Sequence, residues 1–247
     1  MKVLILGGTG EGRLLASELM TGGLSVVSSL AGRVSSPRLP VGDLRVGGFG
    51  GAAGLAEYLR TEGIFAVVDA THPFAERITA NAAAACRTTE TPLLVLHRPA
   101  WHPAPGDNWT LTPDIPAAAA QIAPLPPHTN VLVTTGRQET SAFAGLPQRF
   151  IMRAVERPDG ELPDHCEILL DRGPFTLEGE RRLFAAKDVH KLVTKNSGGP
   201  MTAAKLTAAR ERGIEVIMVQ RPALPESVET VDDVGAAVAW LARLGAN

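Results

Sequence analysis

Short apolar runs alternate with amphipathic stretches along almost the whole chain, and this alternation constrains the fold more than any other feature. Residues 3–6 form an apolar run ended by glycines, which suits a strand buried on both faces. Residues 13–20 then carry helical periodicity and stop at Gly22-Gly23. Strands are predicted at 24–30, 64–68 and 93–96, with helices at 52–60 and 74–87. Farther on, 130–134, 150–154, 167–170, 190–194 and 214–219 read as strands, and 177–186, 201–212 and 231–244 as helices. Such alternation implies helical crossovers and parallel sheets, so the fold class is α/β.

The rhythm breaks where Pro99, Pro103, Pro105, Pro113, Pro116, Pro124, Pro126 and Pro127 crowd together around one short helix at 115–122. This divides the chain into an N-terminal domain, 1–98, a proline-rich crossover, 99–127, and a C-terminal α/β domain, 128–247. A length of 247 residues allows one large domain or two small ones. Two α/β domains with a ligand cleft between them is the arrangement expected, because open α/β sheets bind ligands beyond the carboxyl ends of their strands. A net charge of -2 calls for neither a nucleic-acid duplex nor an anionic membrane as partner. No apolar stretch approaches the length of a membrane helix, and the first apolar run is too short for a signal peptide. Cys86 and Cys166 stand apart without metal-ligand spacing, which removes a disulfide framework and a structural zinc site. A cytoplasmic protein is the expectation.

The loop after the first strand reads Gly7-Gly8-Thr9-Gly10-Glu11-Gly12-Arg13 and opens the first helix. Glycines there permit a tight turn and let backbone N–H groups approach a pyrophosphate. Gly8, Thr9, Gly10, Glu11, Gly12 and Arg13 are therefore candidate nucleotide contacts, with a plain strand–helix turn as the competing reading. An NAD enzyme usually carries an acid at the end of the second strand. Here the segment is Ser28-Ser29-Leu30-Ala31-Gly32-Arg33, and an arginine favours the 2′-phosphate of NADP. Arginines outnumber lysines 19 to 5, so Arg33 as an ordinary surface cation is the alternative.

The segment 69–75, Asp-Ala-Thr-His-Pro-Phe-Ala, follows another strand. Thr71, His72, Pro73 and Phe74 bring N–H groups and an imidazole to the same edge, and His72 is the candidate proton donor. The alternative is a turn in which Asp69 and Thr71 satisfy backbone only. In the second half, Arg137 follows one strand, and Lys195, Ser197, Gly198, Gly199 and Lys205 make a second anion-binding turn; Arg172 sits in a further loop. The sole tyrosine, Tyr58, has Glu62 four residues on, so the Tyr-x-x-x-Lys pair of short-chain dehydrogenases is missing. Hydrolase elbow, P-loop and zincin motifs are missing too.

Taken together, the stretches 6–12, 69–75, 172–175 and 194–199 resemble the precorrin-6A reductase family of cobalamin biosynthesis. The segments His72-Pro73-Phe74-Ala75 and 195–199, Lys-Asn-Ser-Gly-Gly, are the most specific part of the likeness. The resemblance implies two Rossmann-like domains with the cofactor in the cleft. It also implies NADPH-dependent reduction of a ring double bond in precorrin-6A to give precorrin-6B, with no flavin and no metal. That substrate is a polycarboxylate macrocycle, for which Arg137, Lys195, Lys205, Arg172 and Arg221 are the candidate cations. A cobalt-precorrin-6A reductase and a non-catalytic NADP-binding sensor remain as alternatives.

Overall fold

The computed structural model describes residues 1–32 and 38–245. The chain folds as two units, Met1–Pro99 with Pro222–Asn247, and Ala100–Arg221. The first runs β1 (Lys2–Leu6), α1 (Gly10–Thr21), β2 (Ser25–Leu30), β3 (Asp43–Val46), α2 (Gly51–Thr61), β4 (Ile64–Asp69), α3 (Glu76–Thr89) and β5 (Leu93–Leu96). The second contains β6 (Trp109–Thr112), α4 (Ile115–Ile122), β7 (Asn130–Val133), β8 (Arg149–Ala154), β9 (Cys166–Leu170), α5 (Leu177–Ala186), β10 (Lys191–Lys195), α6 (Ala204–Glu211) and β11 (Glu215–Val219). The chain then rejoins the first unit with β12 (Glu229–Val231) and α7 (Val234–Gly245).

Both sheets are six-stranded and parallel, in the orders β12-β5-β4-β1-β2-β3 and β6-β11-β10-β7-β8-β9. Each is the doubly wound order, with the strand sequence reversing between β1 and β4 in one sheet and between β7 and β10 in the other. The continuous apolar runs are explained by burial on both faces. In the first unit Val3, Ile5 and Val68 pack under Leu15, Leu19 and Leu241, while Leu4, Leu6 and Val67 pack under Leu55, Leu59 and Cys86. In the second unit Leu132, Leu192, Val216 and Met218 share a core with Phe184 and Leu206.

Two organisational readings are corrected. The proline-rich stretch is not a connector. Its residues 109–112 form edge strand β6 against β11, and Asp114 caps α4 by accepting the Ala117 N–H. The C-terminal helix does not cover the second sheet. Ala237, Trp240 and Leu241 of α7 lie in the first unit's core, and β12 pairs with β5. Two helices also begin later than periodicity predicts. Residues 73–75 remain in turn, so α3 starts at Glu76, and a 3₁₀ turn at Pro200–Thr202 precedes α6.

Candidate functional site

The order reversal of the first sheet lies between the carboxyl ends of β1 and β4, where the glycine loop and the turn after Asp69 meet. Thr9 ties them. Its hydroxyl accepts the Gly12 N–H as the helix cap and donates to the Ala70 carbonyl at 2.6 Å. A β-carbon at Gly12 would stand 3.4 Å from both Ala70 Cβ and Thr9 Oγ1, so α1 packs close enough to the strand that a β-carbon would fill the remaining space. Gly8 has φ +117° and open space above it, leaving its peptide accessible. Twelve residues of helix begin at this point, with the positive end of their dipole at the loop. A diphosphate fits that surface.

Asp69 is fully buried and accepts the Thr71 N–H, the Thr71 hydroxyl and the Thr79 hydroxyl. The structure thus gives Asp69 the role of a clamp that holds the turn before α3. His72 is exposed, packs at 5.8 Å from the Phe74 ring, and accepts the Phe74 N–H through Nδ1. In the neutral ring this fixes the proton on Nε2. Pro73 and Phe74 are half-buried beside it. Glu11 receives the Arg98 guanidinium at 3.0 Å, so its carboxylate is already engaged. Arg13 is half-buried in the first turn of α1, next to Gly12 and Gly10. Arg33 lies outside the described residues.

In the second unit the reversal falls between β7 and β10, and the predicted loops meet there. The Thr134 hydroxyl donates to Thr194, while the Thr135 hydroxyl is buried without a partner. Arg137 pairs with Glu156 at 3.1 Å, and Lys195 with Glu139 at 2.7 Å. Ser197 N–H donates to the Lys195 carbonyl, and Gly198 and Gly199 take φ of +68° and +73°, which makes the turn tight. Arg221 donates to the Asn196 carbonyl. Arg172 is half-buried, and its guanidinium makes no ion pair among the described residues.

Lys205 departs from its predicted place as a displayed cation. It is 3% exposed, donates to the Thr202 carbonyl at 2.7 Å, and lies 4.6 Å from the centre of the Trp101 ring. Burial, reinforced by the Arg153 charge and opposed by that of Glu180, pushes its pKa down to about 7. Trp101, which nothing in the motif pattern marks, proves central to this loop. Asn196 grips its backbone from both sides, and the indole N–H donates to the Gly199 carbonyl. Beside the loop, Arg153 and Glu180 form a buried two-pronged ion pair, with the guanidinium 3.9 Å over Phe175. A cavity of 530 Å³ opens there, lined by Arg153, Asp171, Pro174, Phe175 and Glu180 among others. A second cavity, of 630 Å³, lies at the amino ends of β7, β8 and β9, away from these loops.

Parallel sheets in doubly wound order, with a glycine loop at the first reversal point, define a Rossmann-like α/β protein. The family model described as precorrin-6x reductase, CbiJ/CobK, matches residues 2–242. A precorrin-6A reductase of Rhodococcus erythropolis is 52% identical over 245 residues, covering 98% of each chain. A cobalt-precorrin-6A reductase of Priestia megaterium is 29% identical, over 89% of this chain and 90% of its own. A solved structure titled CobK precorrin-6A reductase superposes with a TM-score of 0.92 at 40% identity, covering 99% of this chain and 97% of that one. The chain belongs to the precorrin-6x reductase family, and it is therefore an oxidoreductase of cobalamin biosynthesis.

Proposed function

We propose that this chain binds NADPH on the glycine loop of its first unit and reduces a ring double bond of precorrin-6A, giving precorrin-6B. The observation that carries the cofactor reading is the Gly12–Ala70 approach, where an added β-carbon would already be in contact on two sides. Such close helix–strand packing sets the N-terminus of α1 where it can face a diphosphate. When bound, the reduced nicotinamide supplies the hydride, which would go to an electrophilic carbon of the macrocycle. The residues that hold the cofactor are Gly8, Thr9, Gly10 and Gly12 with Arg13, and Thr71, Pro73 and Phe74 across the reversal point. Glu11 serves by fixing Arg98 against the first turn of α1. His72, with its proton held on Nε2, is the group that protonates the adjacent carbon.

The acetate and propionate groups of the substrate are bound by the second unit. Arg172 offers an uncommitted fork, and Arg137 and Lys195 offer charges already oriented by Glu156 and Glu139. Ser197, Gly198 and Gly199 add backbone donors. Lys205 acts from beneath, through the Trp101 ring and the Thr202 carbonyl that support this loop. The reaction runs in the cytoplasm, without flavin or metal.

The test is anaerobic incubation of the purified protein with precorrin-6A and NADPH, following NADPH absorbance and product mass. One NADPH consumed per two-hydrogen mass gain, with little reaction from NADH, is the expected result. Turnover of the cobalt-bearing substrate alone would move the chain to the metal-early reaction; binding of NADPH without consumption of it on either substrate would leave a sensor. His72→Ala should lower turnover by roughly 10²-fold or more with NADPH affinity unchanged. Full turnover in that variant would hand the proton to solvent.

A further inference from the structure

Arg45 presents an arrangement that the proposed contacts leave unused. It stands on edge strand β3, directly across from Ser29 at the end of β2. Its guanidinium lies 3.7 Å over the Phe49 ring and donates to the Gly47 carbonyl at 2.6 Å and the Gly48 carbonyl at 2.7 Å. A longer contact, 3.4 Å, reaches the Ser29 hydroxyl. The head group is thus fixed by backbone and by an aromatic face, yet among the described residues it has no carboxylate partner. The contrast is with Arg98, Arg137, Arg153, Arg181 and Arg210, whose head groups are held by acids.

A half-buried guanidinium held rigid without a counter-ion is prepared for an external anion, because it has already lost conformational freedom and part of its hydration. The two carbonyl bonds and the longer Ser29 contact leave two of its five N–H donors for a ligand. The turn it braces leaves room for one. Gly47 has φ +114°, and β-carbons built at Gly47 and Gly48 would meet nothing within 4 Å. The location is the carboxyl edge of β2 and β3, on the side of the sheet order where a dinucleotide laid over the β1 loop extends its adenosine half.

We infer that Arg45, with Ser29, receives the 2′-phosphate of the cofactor and sets the preference for NADPH over NADH. The inference rests on the proposed use of NADPH. Equilibrium binding of NADPH, NADH, 2′,5′-ADP and 5′-AMP, measured by calorimetry on the full chain, tests it without any turnover. Arg45→Gln keeps a donor for the turn carbonyls and removes the charge. It should weaken NADPH and 2′,5′-ADP by roughly 10- to 100-fold and leave NADH and 5′-AMP unchanged. Arg45→Lys should recover part of the difference. Equal weakening of all four ligands would overturn the inference and reduce Arg45 to a brace for the turn. So would unchanged binding of all four, and an Arg33→Gln variant that alone removes selectivity would assign the phosphate there. A wild-type chain that binds NADPH and NADH equally would overturn the NADPH reading itself, before any variant is compared.

Discussion

Replacing Lys205 by methionine should make the protein more stable, and by an amount that depends on pH in a defined way. Folding moves the pKa of this ammonium from 10.5 to about 7. At about 1.4 kcal/mol per pH unit, holding it charged in the fold costs on the order of 5 kcal/mol. The Trp101 face attracts the charged form only and so acts against the desolvation. The net, pH-dependent penalty that matches a folded pKa of about 7 is this same figure of about 5 kcal/mol. Below pH 7 the penalty is present in full. Between pH 7 and 10.5 the unfolded chain binds the proton that the folded chain has released, so stability rises with pH and the penalty disappears. Methionine fills the same channel without a charge, and gives up the bond to the Thr202 carbonyl, about 1 kcal/mol. The variant should therefore exceed wild type by roughly 4 kcal/mol at pH 6, and fall level with it or slightly below near pH 10. Urea unfolding from pH 6 to 10 measures this, followed by fluorescence, to which the second unit contributes Trp101 and Trp109. Arg153 and Glu180 are common to both proteins, so the difference between the curves isolates Lys205. Parallel curves, offset by a constant, would refute the argument, because they would mean that the ammonium is not desolvated.

Gly12→Val adds a β-carbon that is already in contact and two methyl groups beyond it, so it should cost about 1–3 kcal/mol and abolish measurable NADPH binding; unchanged calorimetric affinity would sink the close-approach argument. Trp240→Ala empties a site that is 4% exposed and whose indole N–H donates to Glu229. A loss of about 3–5 kcal/mol is expected, with NADPH protection of the thermal transition lost. If NADPH still raises the midpoint as in wild type, α7 is dispensable to the first unit.

The strands buried on both faces were legible in the sequence because burial leaves no polar interruption, as in residues 3–6 and 64–68. The glycine loop was legible for a different reason, since the φ at Gly8 favours glycine and the space at Gly12 leaves room for little beyond a β-carbon. What escaped were the edges. Strand β3 reads Asp-Leu-Arg-Val and is largely exposed, and β12 is three residues long; backbone pairing holds both without an apolar signature. The unit boundary was misplaced for the same reason, since the pairing of β12 with β5 spans more than a hundred residues. Charges were the least readable part of the site. Glu11 and Arg98 are 87 positions apart and Lys195 and Glu139 are 56 apart, so no local pattern joins them. A lysine on a helix ordinarily faces water, and nothing near Lys205 in sequence announces that Trp101 and Thr202 enclose it.

The return of the chain to its first unit has a consequence for how the protein is made. Ribosomes deliver residues in order, and the inserted unit, Ala100–Arg221, is complete while β12 and α7 are still missing. Synthesis of that insert takes roughly 6 to 25 s at ordinary elongation rates. During this interval the nascent first unit exposes the β5 edge and the apolar patch of Leu15, Leu94 and Leu96 that Trp240 and Leu241 later cover. A premature stop near residue 230 would therefore spare the part of the gene product that is translated in the middle and ruin the part translated first.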